Sequence, residues 1–184
     1  MFSRKGITLV ELIVAFVIVA IGGAILMLFL RNQTDLMETS SAYGSVRTRA
    51  ELAVGNMSDE LRLATRKGAG SPPNLSIAGN ALTFYVPTDA DGDGRIVDAS
   101  GSIEWNVASP VQYIYDAGTQ QLNRTQGAAT RILAHHVSGV TFSDKSIDGT
   151  LNDDEVKIQL SVQETTQHQR AALATVATVI KLRN

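Results

Sequence analysis

Lys5-Gly6-Ile7-Thr8-Leu9-Val10-Glu11-Leu12-Ile13-Val14 opens an apolar run that continues to Leu30 and is interrupted near its start by a single carboxylate, Glu11. About 24 helical residues at about 1.5 Å each cover the roughly 30 Å of a hydrocarbon core. An ionised side chain inside such a span costs on the order of 2.5–3.5 kcal/mol on insertion scales. Residues 7–30 are therefore predicted to form a transmembrane helix in which Glu11 needs a compensating partner. A secretory signal peptide fits poorly, because its apolar region runs for about 7–15 residues before a small-residue cleavage site. An ordinary single-pass anchor matches the length but has no use for Glu11, or for Gly6 just before the span. A buried core helix rarely stays apolar on all faces over this distance.

The segment resembles the class III leader and N-terminal helix of type IV prepilins and pseudopilins. The residues that carry the likeness are a short basic leader ending in Arg4 and Lys5, Gly6 as its last residue, the apolar Ile7, and Glu11 four positions beyond. The resemblance implies that residues 1–6 are removed by a prepilin peptidase cutting after Gly6, and that the new amine on Ile7 is methylated. It also supplies the missing compensation, since that cationic amine can pair with a carboxylate such as Glu11 of a neighbouring subunit.

Composition fits a membrane-anchored protein with one modest folded domain: 184 residues, a formal net charge of −2 at pH 7 and a pI near 5.9. No basic field recommends nucleic acid as a partner. Arg4 and Lys5 precede the span while the carboxylates lie along the C-terminal part. The basic end is thus expected to stay cytoplasmic and the bulk of the chain to lie outside. The resemblance places it first in the bacterial inner membrane, then in a pilus or pseudopilus. There are no cysteines, so stability must come from the core, from subunit contacts or from an ion. Many major pilins of Gram-negative bacteria close their C-terminal region with a disulfide, and the departure points toward a minor subunit.

Past Leu30 the helical signal persists in a polar setting. Tyr43, Val46, Ala50, Ala53, Met57, Leu61 and Ala64 recur at steps of three and four, laying one apolar stripe along residues 31–66. Arg47, Arg49, Glu51, Asp59, Glu60, Arg62 and Arg66 fall on the other faces. Core packing explains the stripe better than an independent coiled coil, since barely three heptads are present. Lys67-Gly68-Ala69-Gly70-Ser71-Pro72-Pro73 reads as the stop. Residues 7–66 are predicted as one helix of about 90 Å, with Gly22-Gly23 as the place to bend or locally melt.

Residues 74–184 change to a period of two. Leu75–Ile77 and Leu82–Val86 flank Gly79-Asn80, a two-residue hairpin signal. Further predicted strands are Ile103–Val107, Val111–Tyr115, Leu122–Thr125, Arg131–Leu133, Val137–Phe142, Val156–Val162 and Leu173–Leu182. A long helix followed by a run of antiparallel strands is an α+β plan, with the stripe expected to pack on one sheet face. That plan is also the architecture of pilins. Within the family, this region is similar to the W-type minor pilins of type IV pili and the J-type minor pseudopilins of type II secretion. The likeness is carried by Glu60-Leu61-Arg62-Leu63-Ala64, Val111-Gln112-Tyr113-Ile114-Tyr115-Asp116, Leu122-Asn123-Arg124, Ile132-Leu133-Ala134 leading to Val137 and Phe142, and Leu182-Arg183-Asn184.

Asp89-Ala90-Asp91-Gly92-Asp93-Gly94-Arg95-Ile96 repeats the first part of an EF-hand loop: carboxylates at positions one, three and five, Gly at six and an aliphatic residue at eight. Such oxygens can wrap calcium, with the Arg95 carbonyl and Asp98 as further candidate ligands. Position twelve is Ser100 rather than Glu, and the flanks read as strand. The competing reading is a solvated Asp-Gly turn. The acidic stretch Asp148–Glu155 lacks the alternation and reads as a hairpin loop.

Catalytic signals are sparse. Cysteine is absent, no Ser sits in a G-x-S-x-G elbow, and no P-loop is present. His135 and His136 are adjacent, so on a strand they would face opposite sides and could not share one metal. The chain reads as a non-enzymatic structural and assembly subunit, a minor pilin or pseudopilin. The resemblance implies a prepilin peptidase, other subunits of the same fibre and the inner-membrane assembly machinery as partners. The alternative is a membrane-anchored, calcium-dependent binding or adhesion module on the same scaffold.

Overall fold

The computed structural model describes residues 8–64 and 75–182. The Gly6/Ile7 junction and the predicted helix stop at Lys67–Pro73 lie outside them. The chain divides into two units, Met1–Ser41 and Ala42–Asn184.

In the first unit the structure is the opening part of helix α1, Leu9–Leu61. From Thr8 to Thr34 every residue is exposed, with Leu9, Phe16, Val19 and Met27 each more than 70% accessible. Apolar exposure on all faces is untenable in water and natural in lipid, where a helix satisfies its own backbone groups. The stretch is long and apolar enough to cross a membrane. Helix continues through Gly22-Gly23, so the pair does not melt.

The second unit begins with the amphipathic part of α1. Val46, Ala50, Ala53, Val54, Met57 and Leu61 are its buried residues. Tyr43, predicted to belong to the stripe, is half exposed, and Val54 joins in its place. The helix stops at Leu61 rather than at residue 66. Leu63 N donates to Glu60 O at 3.1 Å and Ala64 N to Leu61 O at 3.0 Å. This tightened last turn brings residues three apart into register, so Leu61 and Ala64 are both fully buried.

Among the described residues eight strands follow: β1 Ser76–Ala78, β2 Ala81–Phe84, β3 Val111–Asp116, β4 Gln121–Gln126, β5 Ala129–Ala134, β6 Val137–Ser143, β7 Glu155–Thr165 and β8 Ala171–Lys181. They form two antiparallel meanders, a five-stranded sheet β1-β2-β3-β4-β5 and a three-stranded sheet β6-β7-β8. Gly79-Asn80 closes the first hairpin as predicted, and Gly79 at φ +56° takes the left-handed first position of a type II′ turn. Residues 144–154, which include most of the second acidic stretch, join β6 to β7 as a hairpin loop.

Two expectations are corrected. Ile103–Val107 is not a strand: it contributes only isolated bridges, Val97 with Ile103 and Pro87 with Trp105. Pro87 has no N–H to extend a ladder. His135 and His136 fall between β5 and β6, as the predicted strand bounds have it, where the chain passes from one sheet to the other with His136 at φ +57°. The helix stripe packs against both sheets rather than one face. Its core partners include Leu82, Phe84, Tyr113 and Leu122 of the first sheet, and Val156, Ile158, Leu160 and Val162 of the second.

One polar cluster ties the helix end to the first sheet. Pairing of β3 with β4 sets Tyr113 opposite Arg124 on the inward face. An inward guanidinium requires a partner, and Glu60 supplies it. Arg124 Nε donates to both carboxylate oxygens at 2.9 Å, and the Tyr113 hydroxyl donates to Oε2 at 2.8 Å. Glu60 is thus not a solvent-face residue, as its place outside the stripe suggested.

Candidate functional site

Two features bear on function: the start of α1 and the excursion between β2 and β3.

Thr8 is the N-cap of α1, its carbonyl accepting the first helical bond from Leu12 N at 3.2 Å. Glu11 N donates to Thr8 Oγ1 at 3.3 Å, while Thr8 N and Thr8 Oγ1 donate to Glu11 Oε2 at 2.9 and 3.0 Å. This is a reciprocal capping box. The Thr-x-x-Glu spacing of residues 8–11 encodes it. The carboxylate lies in the first turn, where the helix dipole also favours it. The bonds of the cap use Oε2 and leave Oε1 for another donor. Glu11 can therefore start the helix and still accept a charge from outside the chain. Gly6 and Ile7, the cleavage and methylation positions, lie outside the described residues.

The excursion at residues 85–110 folds back on itself. Thr88 N donates to Glu104 O at 3.0 Å, Glu104 N to Ile96 O at 3.0 Å and Asn106 N to Val86 O at 3.4 Å. The Asp-Gly loop is thereby pinned against Glu104, whose Oε2 accepts from Ala90 N at 2.5 Å. Within the loop, Asp89 accepts from Gly92 N at 2.6 Å and Gly94 N at 2.8 Å, Asp91 from Asp93 N at 3.0 Å, and Asp93 from Arg95 N at 2.7 Å. Gly92 and Gly94 sit at φ +82° and +84°, which permits the tight winding.

Carboxylate oxygens of Asp89, Asp91 and Glu104 lie within 4.8 Å of one another. That separation suits oxygens ligating one hard cation at about 2.3–2.6 Å. Of the sequence-predicted carboxylate ligands, Asp89 and Asp91 converge, and the third carboxylate of the group is Glu104 rather than Asp93 or Asp98. Asp98 caps its own turn, accepting from Ser100 Oγ at 2.6 Å, Ser100 N at 2.8 Å and Ser102 N at 2.9 Å. Those bonds, the Ser100 hydroxyl foremost, hold its carboxyl below the usual range. Glu104 was missed because its approach depends on the fold-back of residues 103–106 onto 86–88. The apolar alternation at Ile103–Val107 was the available signal, read as a sheet strand.

Residues 1–27 match the family model of the prokaryotic N-terminal methylation motif, the class III leader of type IV prepilins and pseudopilins. Such a leader implies processing by prepilin peptidase and assembly with other pilins. No curated protein and no solved structure matches the chain significantly.

Proposed function

We propose that this chain is a minor pilin or pseudopilin, of the W type in type IV pili or the J type in type II secretion. In this reading it has no catalytic role. The observation that carries it is the methylation motif at residues 1–27, joined to a helix whose exposed apolar half passes into a stripe under two sheets. The head lies outside the cytoplasm, the helix anchors the precursor in the inner membrane, and assembly moves that helix from lipid into a packed bundle. Glu11, with Oε1 outside the cap, meets the methylated amine of a neighbour and sets axial register. Intact-mass measurement of membrane-extracted protein tests this: the mature chain should begin at Ile7 and carry one added methyl group. Gly6→Val should leave uncleaved precursor in the membrane. A chain retaining residues 1–6 in cells with an active prepilin peptidase overturns the reading.

A second reading rests on the approach of Asp89, Asp91 and Glu104 to one another. It holds that the head binds calcium and uses the excursion for adhesion or recognition. With few protein ligands, affinity should match the roughly 10⁻⁴–10⁻³ M class of extracellular modules. Calorimetric titration of the full chain in detergent micelles, against Asp91→Ala and Glu104→Gln, distinguishes it from a plain Asp-Gly turn. Calcium-dependent heat and a raised thermal midpoint in wild type alone support it. Silence at millimolar calcium removes it.

A further inference from the structure

Among the described residues, the longest unguarded backbone edge belongs to β8. In its sheet β8 bonds only to β7, so along its other side the N–H and C=O groups have no strand partner among the described residues. Natural edges are blunted by shortness, charge, Pro or bulges. The other edges carry such devices: β1 has three residues, β5 carries Arg131, and β6 has a register shift between Val137 and Gly139. β8 has none of them ahead of Lys181, its last residue. Ala171 to Ile180 contains no charge, Gly or Pro, and its register with β7 is unbroken over its length.

The inward face of β8 is also left short of cover. Ala172 and Ile180 at its ends are buried, yet Ala174, Val176 and Thr178 between them are only half-buried, although their β7 partners Val162, Leu160 and Ile158 are fully buried. Beside them runs an open groove of about 740 Å³, lined by the consecutive residues Leu173 to Ala177 and, on the helix, by Tyr43, Gly44, Arg47 and Glu51. Both alternations of β8 line it, so the groove follows the edge of the strand. A helix docked there would leave the edge groups unpaired, whereas a strand would pair them. Arg47 and Glu51 already neutralise each other at 2.7 Å, and the β8 residues that line the groove, Leu173 to Ala177, carry no charge, so the occupant that matches is uncharged. An added strand would lie between that edge and the helix residues that wall the groove.

We propose that the edge of β8 takes up an extended, uncharged segment of a partner polypeptide as a fourth strand of the β6-β7-β8 sheet, its inward side chains filling the groove beside Gly44. The proposal stands on this edge alone and does not depend on the pilin reading. The test uses the full chain in detergent micelles and an end-capped synthetic peptide of sequence Leu173–Ile180 as an uncharged β-forming probe. Hydrogen exchange should show saturable slowing of β8 amides, and isotope-edited infrared should place the bound peptide in strand conformation. Gly44→Leu fills the groove from a position where a Cβ meets nothing within 4 Å, and Ala177→Lys puts a charge on the exposed strand face. Each should weaken uptake by about tenfold or more, and both should melt within a few degrees of wild type. Unchanged β8 exchange, equal binding by both variants, or a helical bound peptide overturns the proposal. So does protection of β8 in the protein alone that rises with its concentration, which would assign the edge to a second copy.

Discussion

Glu11 combines a helix cap and a charge that Glu11→Val removes together. Its Oε2 closes the cap with Thr8, and its charge is the costly element in an otherwise apolar span. Gln also serves at this position of a capping box, so Glu11→Gln keeps the helix start and removes the charge. If register depends on pairing with a neighbour's amine, Glu11→Gln should insert normally and enter fibres as poorly as Glu11→Val. If the cap is all that matters, Glu11→Gln should assemble like wild type and Glu11→Val should not. Quantitative immunoblotting of sheared fibres against membrane fractions separates the outcomes.

Among the elements, the junction of α1 with β3 and β4 is where the helix is locked to the head. Glu60→Ala leaves an inward Arg124 and the Tyr113 hydroxyl without their acceptor. Hydrogen bonds to charged groups contribute about 1.5–3 kcal/mol each, so a loss of about 2 kcal/mol is expected. Tyr113→Phe keeps the Arg124 contact and should cost about 1 kcal/mol. Tyr113 also gives the junction an alkaline limit. Burial, reinforced by its bond to Glu60, raises the phenol above its ordinary value of 10.0. A raised folded value means that its contribution is complete below the unfolded value and is lost as pH rises through the folded one. Thermal midpoints should therefore fall above about pH 10 in wild type. Tyr113→Phe should flatten that fall, and an identical alkaline limb in the variant would assign the loss to other groups.

Across the whole molecule, carboxylates at strand ends and in a loop carry the acid response. Asp116 is held below the usual carboxylate range first by the Thr119 hydroxyl, Asp148 first by the Thr150 hydroxyl, and Glu155 first by the Asn152 amide. A depressed folded value contributes stability above the unfolded value and loses it as pH falls through the folded one. The β signal of the full chain should therefore melt at lower temperature below about pH 4. Asp116→Asn should remove part of that dependence while leaving the midpoint near neutrality little changed. A wild-type midpoint independent of pH from neutrality to pH 3 would falsify the assignment.

How much of this was legible in advance follows from the range of each interaction. The transmembrane segment, the start of α1, the stripe from Val46 to Ala64 and the Gly79-Asn80 hairpin rest on neighbours a few residues apart. Local periodicity and turn chemistry determine them. The leader was readable for the same reason, its recognition residues lying within one short stretch. Tertiary structure alone decided the division into two sheets, the inward turn of Glu60 to meet Tyr113 and Arg124, and the placing of Glu104 beside Asp89 and Asp91. It also decided which strand edge stayed open. These depend on strand register and on chain reversals that bring distant residues together. A single strand's alternation names its faces but not its neighbours, so pairing and the sites that pairing builds became visible only in the folded chain.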